Sequence, residues 1–195
     1  DVDRKAGSVV VRPILATELV SAKTRLGDTL ELLSGREPWY VLIDDRIQLV
    51  LTRADLNKLP VQVYVATVIT HLETLIAHAI TRHLPGDAWV GVLHEAQRVE
   101  AERRQRALRR RDYDTTLIAC IGLPEKVAVL GQLAATMPLL RRRPDQEPEL
   151  VAHLLRVRNQ VFHAQPLTNH KDVQVLAGVI TLARSWLSDL AADGG

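Results

Sequence analysis

Arg158-Asn159-Gln160-Val161-Phe162-His163 closes an amphipathic stretch that opens at Pro148. Proline suits the first turn of a helix, where its missing N–H has no partner to lose. Leu150, Val151, Leu154, Leu155, Val157, Val161 and Phe162 recur at helical spacing and predict the buried side. His153, Arg156, Asn159 and His163 fall at i, i+3, i+6 and i+10, which gathers them on the opposing face. Arg158 lies about 100° around the helix from Asn159, and its long side chain reaches the same edge. Asn159 and His163 are one turn apart, so their side chains are neighbours.

These residue types make either a helix cap with a solvated face or the groups of one chemistry. Metal-free cleavage of RNA needs a group to take the 2′-hydroxyl proton, a cation for the charge on the pentavalent phosphate, and a group to assist the departing 5′-oxygen. Histidine titrates near neutrality and suits proton transfer. Arginine matches phosphate oxygens with a fork of donors.

Outward from this stretch the sequence is mostly helical. Downstream, Pro166 and Asn169 mark a loop. Asp172 caps a last helix whose Val175, Leu176, Val179, Ile180, Ala183, Trp186, Leu187 and Leu190 point inward. Upstream, Tyr64 to Ile80 repeats apolar residues at helical spacing until Pro85-Gly86. His71 and His78 share one face of that helix, but a zinc site needs three or four ligands, so no metal and no cofactor is expected. Glu73 is expected in solvent, or as a polar partner of the motif helix. Residues 87–112 predict a helix with Trp89, Val92, Leu93, Ala96, Val99 and Arg103 inward. Helices follow from Asp114 or Thr115 to Cys120 and from Pro124 to Ala135.

Arg98 to Arg111 holds seven arginines in fourteen residues, offset by Glu100 and Glu102. Arg103, Arg104, Arg106, Arg109, Arg110 and Arg111 are therefore candidates for an RNA backbone, with Arg141, Arg142, Arg143 and Arg156 as further contacts. A solvated face with a Glu102–Arg106 pair is the competing account. The overall charge of +2 argues for no partner by itself.

The first third differs. Residues 1–8 read as a loose leader and Val9-Val10-Val11 as a short strand. Thr17 to Leu33 reads as helical, with Asp28 as its N-cap. Trp39 to Ile43 predicts a buried strand, Asp44-Asp45-Arg46 a tight turn, and Ile47 to Leu51 the returning strand. Thr52 opens a short helix that Pro60 stops, with Thr52 and Asp55 spaced as a capping box.

The 195 residues suit one domain or two small ones. A lone cysteine, Cys120, excludes an internal disulfide and fits a reducing cytoplasm. The polar start, Asp1 to Lys5, leads into no apolar segment of the kind a secretory leader has. No uninterrupted apolar run reaches the ~18 residues of a membrane span, the longest candidate being Thr115 to Leu140, so no membrane partner is expected.

The spacing Arg158-Asn159-x-x-x-His163, on the penultimate helix of a helical region, resembles the signature of the HEPN superfamily, over residues 61–192. The resemblance implies an all-helical bundle and an RNase site built across a two-fold homodimer, of the kind used in stress or phage defence. His163 would be general base or acid, Arg158 the phosphate ligand, and Asn159 the group that orients His163 or the substrate. Residues 9–59, ordered strand, helix, strand, strand, helix, resemble a single CBS motif. That implies adenine-nucleotide contacts from Thr52 and Asp55, although Leu49 stands where the family has glycine. The expected fold is thus α+β: a small N-terminal CBS-like α/β module followed by an all-α HEPN helical bundle. The alternative function is a non-catalytic nucleotide-sensing or antitoxin-like binding protein.

Overall fold

A computed structural model describes residues 2–3, 8–9, 12–35, 38–167 and 172–194. It is a mixed α+β structure in which helices dominate. Strands β1 (Val2–Asp3) and β2 (Ser8–Val9) pair antiparallel. Strand β3 (Leu19–Ser21) pairs parallel with β4 (Trp39–Ile43), and β4 pairs antiparallel with β5 (Arg46–Leu51). The helices are α1 (Leu26–Gly35), α2 (Leu59–His83), α3 (Glu95–Arg109), α4 (Leu123–Thr136), α5 (Pro148–Phe162) and α6 (Val173–Asp193).

The β4–β5 hairpin follows from its turn. Asp44 and Asp45 both have positive φ, 47° and 62°, the backbone of a two-residue turn whose twist matches paired strands, and aspartate tolerates it. Gln48 is an extra residue between the paired Ile47 and Leu49, so β5 carries a bulge. Only Trp39 of β4 is buried, its indole donating to the Leu32 carbonyl, because β5 lies in solvent with Ile47, Leu49 and Val50 exposed. The expected fully buried strand is therefore a half-buried one.

The expected helix over Thr17 to Leu33 is corrected. Leu19–Ser21 forms β3 instead, since pairing alongside β4 satisfies its backbone. Helix α1 starts at Leu26, and Asp28 sits inside its first turn, where it pairs with Arg184 of α6 at 3.1 Å rather than capping. Val10 and Val11 of the predicted first strand lie outside the described residues. Pro60 begins α2 rather than merely ending the turn before it.

Helix α2 is the hub. Val61, Val65, Ile69, Leu72, Ile76 and Ile80 are buried along it, and α4, α5 and α6 all pack against it. By length and composition α2 and α6 each suffice to cross a membrane, although neither is an uninterrupted apolar run. Here α2 and α6 pack on one another and share the core. Trp186 of α6 is fully buried and donates to the Arg142 carbonyl at 2.5 Å. The buried cluster continues into Val20, Leu30, Leu33, Trp39 and Leu56, and the Leu167 amide donates to Asn57 Oδ1 at 2.8 Å.

Residues 87–112 do not form one helix. A 3-10 turn, Ala88–Val92, precedes α3, and the inner face differs from the expected one. Trp89 is buried as expected, but Ala96, Val99 and Arg103 are exposed and Ala101 is the buried residue of α3. The helix rests on the 3-10 turn Leu117–Cys120 along a narrow line, which leaves most of its circumference in water. On α5, Leu154 and Val157 are buried, while Phe162 is 51% exposed. Leu154→Ala should lower stability by about 2–5 kcal/mol, and Phe162→Ala by under about 1 kcal/mol, read from urea midpoints at constant slope. Equal losses would contradict this packing.

Candidate functional site

The end of α5 is set by its backbone. Ala164 adopts φ 51°, the Gln165 amide donates to the Gln160 carbonyl at 2.8 Å, and the Ala164 amide donates to the Val161 carbonyl at 3.2 Å. These two bonds make a Schellman ending. It places His163 at the C-cap, its amide bonded to the Asn159 carbonyl and its ring exposed with no hydrogen bond among the described residues. A Cβ in the left-handed region is strained. Ala164→Gly should therefore raise stability by about 1 kcal/mol; a lower thermal midpoint would contradict the assignment.

Arg158 is half-buried. Its Nη1 donates to Asn159 Oδ1 at 3.2 Å, and its Cζ lies 5.0 Å from the centroid of the Phe162 ring. Its Nε is buried with no hydrogen-bond partner. The side chain lines a hollow of about 490 Å³, together with Glu73 of α2, Arg104, Ala107 and Leu108 of α3, and residues 119–122. The structure thus joins Arg158 to Asn159 and to Arg104, and sets His163 on the exposed end of the same helix. Arg156 is exposed and His153 half-buried on the outward face. Cys120, buried as a small core residue, forms part of the floor of the hollow.

The arginine runs divide by their partners. On α3, Arg98 pairs with Glu95 at 2.8 Å, and Glu100 holds both Arg103 at 2.7 Å and Arg104 at 2.9 Å. Arg106 and Arg109 donate to the Glu102 and Thr115 carbonyls, and Arg110 and Arg111 have no ion pair among the described residues. Arg141 pairs with Asp189 at 2.6 Å, Arg142 with Glu147 at 2.6 Å, and Arg143 with Asp145. Arg141 and Arg142 line a different hollow, with Arg184, Asp28 and Glu31. The two basic runs are thus not brought together.

Thr52 and Asp55 close on each other. Asp55 Oδ2 accepts from the Thr52 amide at 2.7 Å and from its hydroxyl at 3.0 Å, and Lys58 Nζ lies 2.5 Å from Oδ1. Partial burial pushes the Asp55 carboxyl up; the Lys58 ammonium and the Thr52 donors outweigh it, leaving the carboxyl below its ordinary value. His71 and His78 are exposed, and among the described residues no three metal-binding side chains come together.

The sequence missed one pair. Lys126 of α4 is buried, its side chain 6% exposed, and its Nζ lies 2.7 Å from Glu73 Oε1. Glu73, expected in solvent or as a polar partner of the motif helix, is half-buried and paired with α4, in a hollow that it shares with Arg158 of the motif helix.

The guanidinium hydrogen bonds of Arg103 and Arg104 hold the Glu100 carboxyl down at about 2, against an ordinary 4.5. Because the folded value is depressed, this support for α3 is complete above about pH 4.5 and is lost as pH falls through about 2. An NMR titration of Glu100 should give a midpoint near 2, moving toward 4.5 in the Arg103→Ala, Arg104→Ala double variant. An unmoved midpoint would mean that these pairs do not form in solution.

No family model, no curated protein sequence and no solved structure matches this chain.

Proposed function

We propose that the chain is a metal-independent endoribonuclease of HEPN type, its helical bundle (residues 61–192) preceded by a CBS-like half-module (residues 9–59). The observation that carries this is Arg158: a guanidinium held by Asn159 and Phe162, lining an open hollow beside Arg104, five residues before an exposed His163 at the end of the same helix. A cation lacking a carboxylate partner among the described residues, in a concave, partly desolvated place, suits a phosphate that gains charge. His163 takes the proton of the 2′-hydroxyl, and attack of that oxygen breaks the bond to the 5′-oxygen. A second copy brings its own His163 to protonate the leaving oxygen, which makes the site composite and the homodimer the working form. A cytoplasmic setting without a membrane partner goes with this activity.

The rival function, nucleotide sensing, has less support, because the groups it needs on Thr52 and Asp55 are already bonded to each other and to Lys58.

The test is RNA cleavage in EDTA. Wild type should cut and leave 2′,3′-cyclic phosphate ends, while His163→Ala and Arg158→Ala, still folded, should lose at least about 100-fold in rate. Intact RNA with wild type, or full activity in His163→Ala, would sink the proposal.

A further inference from the structure

Strand β5 is the last strand of the β3–β4–β5 sheet, and its outer edge has no paired strand among the described residues. Its apolar side chains lie in solvent, with Ile47 44%, Leu49 57% and Val50 55% exposed. We propose that this edge is a homodimer interface, on which β5 of a second copy of this chain pairs antiparallel about a two-fold axis at Val50. The surface holds the dimer of the ribonuclease proposal, and only that use of it rests on the ribonuclease reading.

The exposure is concentrated. Seven of the eleven exposed large apolar side chains among the described residues lie before residue 64, and β5 alone supplies three of them. An open strand edge invites pairing, and chains that stay apart guard it with lysine, proline or an inward-pointing charge. Past Arg46, β5 reads Ile47-Gln48-Leu49-Val50-Leu51, with neither charge nor proline. Its bulge lies toward the turn, at Gln48, which leaves Leu49–Leu51 as regular strand with Val50 in the middle. Val50 stands opposite Tyr40 and Ile47 opposite Leu42, so these four side chains share one face of the sheet. Leu49 and Leu51 stand opposite Val41 and Trp39 on the other face, where Leu51 is half-buried against the core and Leu49 stays exposed.

Symmetry and charge select a copy of the same chain. An antiparallel ladder is two-fold symmetric and a parallel one is not, so one edge supplies both sides of the interface. With the axis at Val50, Val50 faces Val50 and Leu49 faces Leu51, and only apolar side chains meet within the regular stretch. The ends of the strand also match. Two aspartates and an arginine, Asp44, Asp45 and Arg46, give the turn end a net −1. Arg53, Asp55 and Lys58 give the other end a net +1. An antiparallel copy brings each end alongside its opposite, unlike charge to unlike, whereas a parallel copy sets like ends together. The pairing joins two three-stranded sheets into one of six strands.

The test is sedimentation velocity on the full chain. Wild type should be a reversible dimer. Val50→Lys and Val50→Glu each place like charges across the axis, and each should be a folded monomer with the circular dichroism of wild type. Mixed in equal amounts, the two variants should pair again, because a lysine then faces a glutamate. An interface elsewhere on the molecule would not respond to this exchange. Val99→Lys changes a comparably exposed apolar residue on α3 and should leave the dimer whole. A monomeric wild type, a dimer that survives both Val50 variants, variants that stay monomeric when mixed, or a dimer lost equally in Val99→Lys overturns the proposal. Association and cleavage are read separately. A dimer split by the Val50 variants, with no cutting of RNA by wild type, removes the nuclease alone. Cutting by a dimer that these variants leave whole removes the β5 interface alone.

Discussion

Burial of one stripe on α2 is the constraint on which the fold depends. Val61, Val65, Ile69, Leu72, Ile76 and Ile80 leave water together, and α4, α5 and α6 are the surfaces that cover them. A helix of 25 residues spans about 37 Å at the usual rise, so it supports contacts at both ends of the bundle. At its far end His83 and Arg82 bond to Asp193, which fixes α2 against the end of α6. Midway, Glu73 marks where the apolar cover gives way to polar contact, and the Arg158 hollow opens there.

The site inherits its geometry from this packing. Leu154 and Val157 seat α5 in the core, which turns Arg158 toward α3 and leaves Asn159 outward. The Schellman ending then stops the helix immediately after Phe162, so His163 stands exposed at the helix end. Phe162 is exposed, and its ring serves as a platform for Arg158. Rigid placement of the cation and free access to the histidine are thus two consequences of one helix end.

Much of the bundle was legible in the sequence because its signals are local. Pro148, the apolar spacing through Val161, and Asp172 before α6 fixed α5 and α6 to within a residue or two. The errors occur where long-range contacts decide. Leu19–Ser21 is a strand only because β4 lies beside it, and nothing within Thr17–Leu33 announces that pairing. Helix α3 has no apolar stripe, so its contact line through Ala101 could not be read from period alone. Lys126 could have been noticed, since Leu123, Lys126, Leu130 and Leu133 follow the spacing of one buried face. The arginine runs were legible as charge but not as pairing. Carboxylates from another helix or an adjacent turn neutralise Arg141, Arg142 and Arg143, as Glu100 does Arg103 and Arg104.

That RNA phosphate meets the Arg158–Arg104 hollow, and not the Arg141–Arg143 loop, is tested most directly by the salt dependence of binding to an uncleavable 2′-O-methyl RNA. Each lost phosphate contact should flatten the plot of log affinity against log salt by about 0.7–0.9. Arg158→Ala should show that flattening and weaker binding, while Arg141→Ala with Arg142→Ala should leave both slope and affinity as in wild type. The reverse pattern, with the loop variant flattened and Arg158→Ala unchanged, would contradict the account.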